Sequence, residues 1–478
     1  MAYSIDDRLP GLVYAHASPR SVGSVSLFEA DRITVENAAQ FVSQETAAEQ
    51  AEELLRQAGF TVLGRSPSTI NIAGPPALYE EYFRTTLVTE EREVIQPGAV
   101  DLRTTRTFLD SVDTDLPGLV PTQDSEAAAY LEGVALEQPA TTMALPEDPP
   151  DPKYWHLTLD EVAERLGARA VHTEGLTGSG VRLTMIDTGW QRHPYFGDRD
   201  VTVVLGPDAA HPELDEDGHG TCESANAIVV APGIEFTMVK ANLTNLLGAF
   251  DAAVARAEPP HVISMSLGYQ AKYPPLAAAD KVLAVSVSLA VARGIVVVCA
   301  AGNGHHAFPG QHPDVISVGG VYIDKYGDAR ASDYASGFVS AIYPDRVVPD
   351  VSGLVGMRPN ASYIVLPAPP GSAIDRRRAP MDRTGPDDGW VVASGTSAAA
   401  PQVAGVCALL LEAYPSLTPQ EVRSALENSA LDVDLGKSNP VTGGLAVKGR
   451  DDSTGYGLVR ADEALAFVGR TRNRTGKP

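Results

Sequence analysis

Between residues 180 and 320 one pattern recurs. A short, nearly unbroken apolar run ends in glycine, asparagine or another polar residue, and a longer stretch with helical spacing often follows. GVRLTMIDTG, FTMVKAN, HVISMSLG, GIVVVCAAGN and VISVGG are the short runs, and residues 246–257 and 276–293 are two of the helical stretches. Apolar strands without alternation, joined by helical crossovers, predict a parallel sheet covered on both faces. Ligands of such sheets bind beyond the carboxyl ends of the strands. The residues just after each run are therefore the ones to inspect for chemistry.

Upstream of residue 136 the spacing differs. SVGSVSLFEADRITV reads as a strand, and ENAAQFVSQETAAEQAEELLRQAG as a helix closed by Gly59. FTVLGRSPSTINIAG reads as two strands about a turn, and PPALYEEYFRTTL as a second helix opened by proline. This β-α-β-β-α order predicts a small α/β plait, with residues 100–136 as its end plus a connection. EQPATTMALPEDPPDPKYW is rich in proline and acids and reads as an extended linker. Residues 359–390 read as a long surface excursion. The expected division is an N-terminal α/β domain over 1–136, a linker over 137–151, a larger α/β domain over 152–470 and a tail over 471–478.

Charge supports that division. The chain of 478 residues carries a formal charge of −24, which argues against nucleic acid or an anionic membrane as partner. Residues 1–150 hold 24 Asp and Glu against 9 Arg and no Lys, so most of the acidic excess lies in less than a third of the chain. Three cysteines, Cys222, Cys299 and Cys407, sit among small or apolar residues and read as free buried thiols. No run approaches the roughly 18 apolar residues of a membrane span. MAYSIDDRLPGLV has acids where a signal peptide has basic residues. The expectation is a cytoplasmic protein, or one exported by a route without a signal peptide.

Three positions at strand ends or helix starts carry chemistry. Asp187 closes VRLTMI, His219 lies in EDGHGTCESANAI, and Ser397 lies in SGTSAAAP ahead of the apolar helix VAGVCALLLEAY. A nucleophilic serine needs a base in reach and a carboxylate to orient that base. It also needs donors for the developing oxyanion, and Asn303 in AAGN, directly after GIVVV, can supply one.

These segments, in this order, resemble the subtilisin-like serine proteases, or subtilases. GSGVRLTMIDTGW is similar to the family's aspartate segment, DGHGT to its histidine segment, AAGN to its oxyanion segment and SGTSAAAP to its serine segment. SMSLG resembles the strand on which substrate is laid, VVPDVSG the stretch before the serine, and LTPQEVRSALENSA with GYGLVRADEAL the C-terminal helix and closing turn. The resemblance covers roughly 152–466. It implies a subtilisin-like parallel sheet flanked by helices, with Asp187, His219 and Ser397 as triad and Asn303 at the oxyanion. It also implies Ser266, Leu267 and Gly268 as substrate-binding residues, acting on a protein or peptide substrate. By position, the first domain resembles a ferredoxin-like prodomain that acts as an intramolecular inhibitor and is cut off within 137–151.

The remaining features have plainer readings. Cys222 reads as a small buried filler, and His305 and His306 as ordinary loop residues. Glu213, Asp215, Glu216 and Asp217 offer carboxylates to calcium, but their spacing matches no ligand pattern, so they read as a solvated acidic loop with the calcium site unknown. Arg376, Arg377 and Arg378 read as part of an exposed loop. Tyr269 replaces the second glycine that often follows SMSLG, which alters the edge of the cleft. No organic cofactor is implied. The reading is a serine endopeptidase made as a zymogen. The alternatives are a sedolisin-type acid peptidase, which the intact DGHGT and AAGN oppose, and a catalytically silent binding protein of the same fold.

Overall fold

The computed structural model describes residues 9–23, 25–95, 103–142, 155–358 and 362–475. Most of the expected linker, and with it most of the expected processing region, lies outside the described residues.

The N-terminal domain begins with β1 (Val13–Pro19) and continues through α1 (Glu45–Ala58), β2 (Thr61–Arg65), β3 (Ile70–Gly74) and α2 (Pro76–Phe83). A long hairpin of β4 (Leu87–Ile95) and β5 (Arg103–Ser111) follows, then β6 (Leu119–Val120) and β7 (Leu131–Leu136). The sheet order is β2-β3-β1-β7-β6, with every neighbouring pair antiparallel. Leaving out the short edge strand β6, this is the β-α-β-β-α-β arrangement of a ferredoxin-like plait, with the β4–β5 hairpin inserted before its last strand. α1 lays Ala47, Ala48, Ala51 and Leu55 on the sheet at helical spacing and ends at Gly59, whose φ of 103° only glycine adopts without strain. From α2, Tyr79 and Phe83 pack against Phe60, with the Tyr79 ring edge-on at 4.9 Å.

The strand expected over 21–35 is not there; the first strand is Val13–Pro19. The described residues between 21 and 35 run as turns and irregular chain, and Leu27, Phe28 and Ile33 are buried against the larger domain instead of forming a ladder. Lys281 Nζ donates to the carbonyls of Phe28 (2.8 Å) and Ala30 (2.7 Å), and His312 Nε2 lies 3.0 Å from that of Ile33. Tertiary packing overrode a strand-like composition.

After β8 (Thr141–Thr142) the larger domain opens with α3 (Leu159–Arg165), capped by the Thr158–Glu161 box, and α4 (Ala168–Thr173). Its sheet contains β9 (Arg182–Asp187), β10 (Thr202–Leu205), β11 (Glu235–Lys240) and β12 (Val262–Met265), with α5 (His219–Val230) and α6 (Leu246–Val254) between them. β13 (Leu267–Gln270), α7 (Ala278–Ala292), β14 (Val296–Ala300), β15 (Ala307–Phe308), β16 (Ile316–Ile323) and β17 (Ala329–Ala331) come next. The short ribbon of β18 (Phe338–Val339) and β19 (Val347–Val348) precedes β20 (Val351–Leu354). The order β10-β11-β9-β12-β14-β16 is parallel throughout, β17 adds an antiparallel edge, and β20 also pairs with β16. Strand order reverses between β9 and β12, so the crevice at their carboxyl ends is the place for a site.

The expected irregular excursion over 359–390 is folded. β21 (Ile364–Pro367) and β22 (Trp390–Ala393) form an antiparallel pair that carries α8 (Ala373–Asp382) between them. α9 (Thr396–Ala413) follows, then α10 (Pro419–Glu427) and α11 (Ala461–Thr475), which carries helix into the expected tail. α9 is long and apolar enough to cross a membrane by length and composition. Here it is the core helix, buried from Thr396 to Leu411 beneath the parallel sheet.

α6 and α7 cover the other face, and the N-terminal domain covers them in turn. Leu27, Ile33, Phe41 and Ala135 share one apolar cluster with Leu247, Phe250, Val282 and Leu283. Full burial contributes about 1.5–3 kcal/mol for each of Leu27, Ile33 and Phe41, beside hydrogen bonds between the domains such as Val35 N–H to Asp314 (2.6 Å) and Asn71 Nδ2 to Asn245 Oδ1 (3.0 Å). The two domains meet through a shared core.

Candidate active site

β9 delivers Asp187 to the carboxyl edge of the sheet, where it is fully buried. α5 starts directly opposite with His219, and His219 Nδ1 lies 2.7 Å from Asp187 Oδ1. The approach depends on glycine, since a Cβ at Gly220 would run into the carbonyl oxygen of Gly189. It also depends on Asp215, which accepts from Thr188 Oγ1 (2.8 Å), Gly218 N (3.0 Å), Thr221 N (2.8 Å) and Thr221 Oγ1 (2.7 Å). One buried carboxylate thus ties the loop after β9 to the first turn of α5. Burial disfavours a charged His219. The Asp187 carboxylate, with Glu223 and Asp217, more than offsets this and pushes the imidazole up to about 10.

Ser397 sits in the first turn of α9, after Gly395, and is fully buried. Pro401 lies four residues on and has no N–H, so the Ser397 carbonyl lacks its helical partner. Ser266, just past the end of β12, fills the gap: its Oγ–H donates to Ser397 O at 2.9 Å. Asn303, just past β14, accepts Thr396 N–H on Oδ1 at 3.0 Å, and Gly302 N–H donates to Thr396 Oγ1. His219 Nε2 and Ser397 Oγ do not hydrogen-bond to each other. The structure therefore joins Asp187 to His219, and joins Ser266 and Asn303 to the turn that bears Ser397. α5 and α9 pack the two groups together.

Leu267 and Gly268 lie in β13, paired antiparallel with Thr142 and Thr141 of β8. Ser266 is outside that ladder, and its hydroxyl is committed to the serine turn. β15 pairs with the far end of the same strand, Tyr269 opposite Phe308. Tyr269 is buried, and its O–H donates to Glu137 Oε2 at 3.0 Å. Glu137 also accepts Leu247 N–H in the first turn of α6, and burial pushes its carboxyl up to about 7. The first residue of the expected linker thus touches both the strand beside the cleft and a helix start of the larger domain.

Several plainer readings need correction. The acidic run is a solvated loop at Glu213 and Glu216, the latter paired with Lys240 at 2.7 Å, but Asp215 within it is the buried brace just described. Among the described residues no group of three or more His, Cys, Asp or Glu is placed to hold a metal ion. His305 and His306 lie in the loop after β14, as read, and both are buried there, with His306 packed against Phe338, the rings tilted at 4.5 Å. Arg376 and Arg377 are exposed but belong to α8, and Arg378 is buried. Cys222 is a buried free thiol. Asp215 is not legible as a brace because an acid inside an acidic stretch reads as solvated, and Glu223 lies in HGTCESANAI, where no motif marks it. The one signal for Glu223 was its spacing of four residues from His219, which places both on one helix face.

The model of the subtilase family matches residues 178–457, more than half of the chain. M-protease of Shouchella clausii (strain KSM-K16) is 29% identical over 300 residues, covering 59% of this chain and 66% of that protein. Subtilisin Savinase of Lederbergia lenta is 28% identical over 300 residues, covering 59% of this chain and 94% of its own length. Among solved structures, fervidolysin from Fervidobacterium pennivorans, a keratinolytic enzyme related to subtilisin, superposes with a TM-score of 0.58 at 16% identity. That superposition covers 97% of this chain and 62% of fervidolysin, so like the M-protease match it spans less than two thirds of the relative's length.

Proposed function

The chain belongs to the subtilase family, and on that premise we propose that it is a serine endopeptidase held silent by its own N-terminal domain. In this reading Asp187 orients His219 and stabilises its protonated form. His219 Nε2 takes the proton of Ser397 Oγ as that oxygen attacks the scissile carbonyl carbon, then returns it to the leaving amine. Water repeats the sequence on the acyl-enzyme. Charge on the former carbonyl oxygen is met by Asn303 Nδ2 and by N–H groups at the start of α9. Leu267 and Gly268 hold an extended protein or peptide substrate by strand addition. No organic cofactor enters the reading.

The observation that carries it is β8. Thr142 and Thr141 pair with Leu267 and Gly268, and this register runs toward Ser266, whose hydroxyl is bonded to the Ser397 carbonyl. The N-terminal domain thus lies on the edge of β13 that a substrate would use. We assign the first cut to the bond after Met143, one position beyond the paired threonine. Intact-mass analysis of the purified chain beside Ser397→Ala, near neutral pH, tests this. Wild type is expected to lose the mass of residues 1–143 while the variant stays whole. A cut elsewhere in 137–151 corrects the register, and a cut in both proteins assigns processing to another protease. The lack of a hydrogen bond between His219 Nε2 and Ser397 Oγ favours the second reading, a silent binding protein of this fold. Failure of a serine-reactive phosphonate to label Ser397 at any pH once residues 1–143 have been removed would establish that reading instead.

A further inference from the structure

Glu223 stands one helical turn beyond His219 on the same face of α5. Its Oε1 is 3.6 Å from His219 Nε2, while Asp187 holds the other ring nitrogen at 2.7 Å. The residue is only 2% exposed, and a carboxylate so buried is costly unless something holds it. The chain builds a cradle for it. Asn226 Nδ2 donates to Glu223 Oε2 (3.0 Å), and Gln402 Nε2 of α9 donates to Asn226 Oδ1 (3.1 Å). Gln402 is locked in turn to β20, accepting Leu354 N–H at 2.8 Å and donating to Leu354 O at 3.0 Å. Asn226 and Gln402 are fully buried. Three elements therefore cooperate to hold one oxygen of Glu223, leaving the other directed at the imidazole. The Ser397 hydroxyl also acts on this carboxyl.

We propose that Glu223 is a positioning residue for the reaction assigned above: a second carboxylate that holds the protonated imidazole from its Nε2 side and raises the pH at which His219 becomes a base. The inference rests on the triad reading. The other ionisable groups acting on this pair are the carboxyls of Asp187 from β9 and Asp217 from the loop before α5, while the neighbouring Cys222 thiol on α5 is itself acted on by Glu223 and Asp215. From α3 and β21, Val162, Ala163 and Ile364 join the apolar core around α5, while α9 offers Ser397 and Gln402. No cation is among these groups. All of them remain when Glu223 is made neutral, so a change on that substitution reports Glu223. Because Glu223 and His219 sit this close, their protons come off in steps that belong to the pair.

The test is Glu223→Gln in the full chain, which keeps shape and lets Asn226 donate as before. Two readouts are taken from about pH 5 to about pH 10: the rate of Ser397 labelling by a phosphonate, and the ¹⁵N NMR titration of His219 in a Ser397→Ala background. Removing an opposite charge this near is expected to move both curves down by about one pH unit or more. Burial pushes the Glu223 carboxyl up to about 7, so above that pH, where wild type carries the charge, the variant should label faster, roughly tenfold for every pH unit by which the curve moves, and the two rates should converge toward about pH 5. A merely structural Glu223 would lower the rate at every pH and leave the His219 titration where it was, which overturns the inference. If wild type is never labelled, the peptidase reading falls, and the titration alone still decides whether Glu223 holds the imidazole. If the Gln variant does not fold, the Ser397→Ala chain decides: two coupled steps at His219 support the contact, and a single step refutes it.

Discussion

Ser266 illustrates how one atom changes the meaning of a position. The resemblance places its backbone among substrate-binding residues; its hydroxyl, which strand addition leaves unused, satisfies the Ser397 carbonyl that Pro401 leaves without a helical donor. Ser266→Ala orphans a buried carbonyl, at a cost of about 1–3 kcal/mol. Thermal unfolding in a Ser397→Ala background, where self-digestion cannot interfere, is expected to show a lower Tm. An unchanged Tm would mean the turn is held by something else. Asp187, His219, Asn303 and Ser397 were legible because each follows a recognisable run at a strand end or opens a helix. Ser266, Asp215 and Glu223 act through contacts between elements far apart in the chain, and no local spacing encodes that an acid or a hydroxyl will be buried.

At the scale of elements, the start of α5 is the tightest joint in the site. Gly220 lets the loop after β9 pass against the helix, and Asp215 bolts the two together. Gly220→Ala forces them apart, costing about 1–3 kcal/mol of overpacking. A shift of roughly 1 Å between base and carboxylate costs about 100-fold in rate. Phosphonate labelling of the variant should be slowed by that order, and labelling at the wild-type rate would show that the joint has slack. The parallel strands were readable because both faces are buried, which makes them apolar end to end. The segments 21–35 and 359–390 were not. The first buries its apolar side chains on a neighbouring domain, so alternation carries no ladder information. The second hides two strands and a helix behind prolines, glycines and charges, where pinning by backbone bonds from Ala373 and Ile374 to the loop before α5 is a tertiary fact.

For the whole molecule the decisive feature is the core shared by the two domains, with Glu137 at its edge. In the folded chain the Glu137 carboxyl titrates at about 7, above the ordinary carboxylate range, so the folded state holds this proton more tightly than the unfolded one. Its contribution is complete below about pH 4.5 and fades as the pH rises through about 7. Glu137→Gln mimics the protonated acid. In a Ser397→Ala background, the Tm advantage of the variant over its parent is expected to grow between about pH 5 and about pH 9; a difference that stays flat with pH would refute the account. The acidic excess of residues 1–150 was readable from composition. The shared core was not, because nothing local marks Leu27 as a neighbour of Val282. That distance along the chain also has a meaning in time. Lys281 bonds carbonyls 253 and 251 residues earlier. With synthesis at about 5–20 residues per second, the segment around Leu27, Ile33 and Phe41 waits on the order of 10–50 seconds before the helix that buries it has been made. During that interval its apolar side chains face water or a chaperone, and the growing chain is most exposed to aggregation at its oldest end.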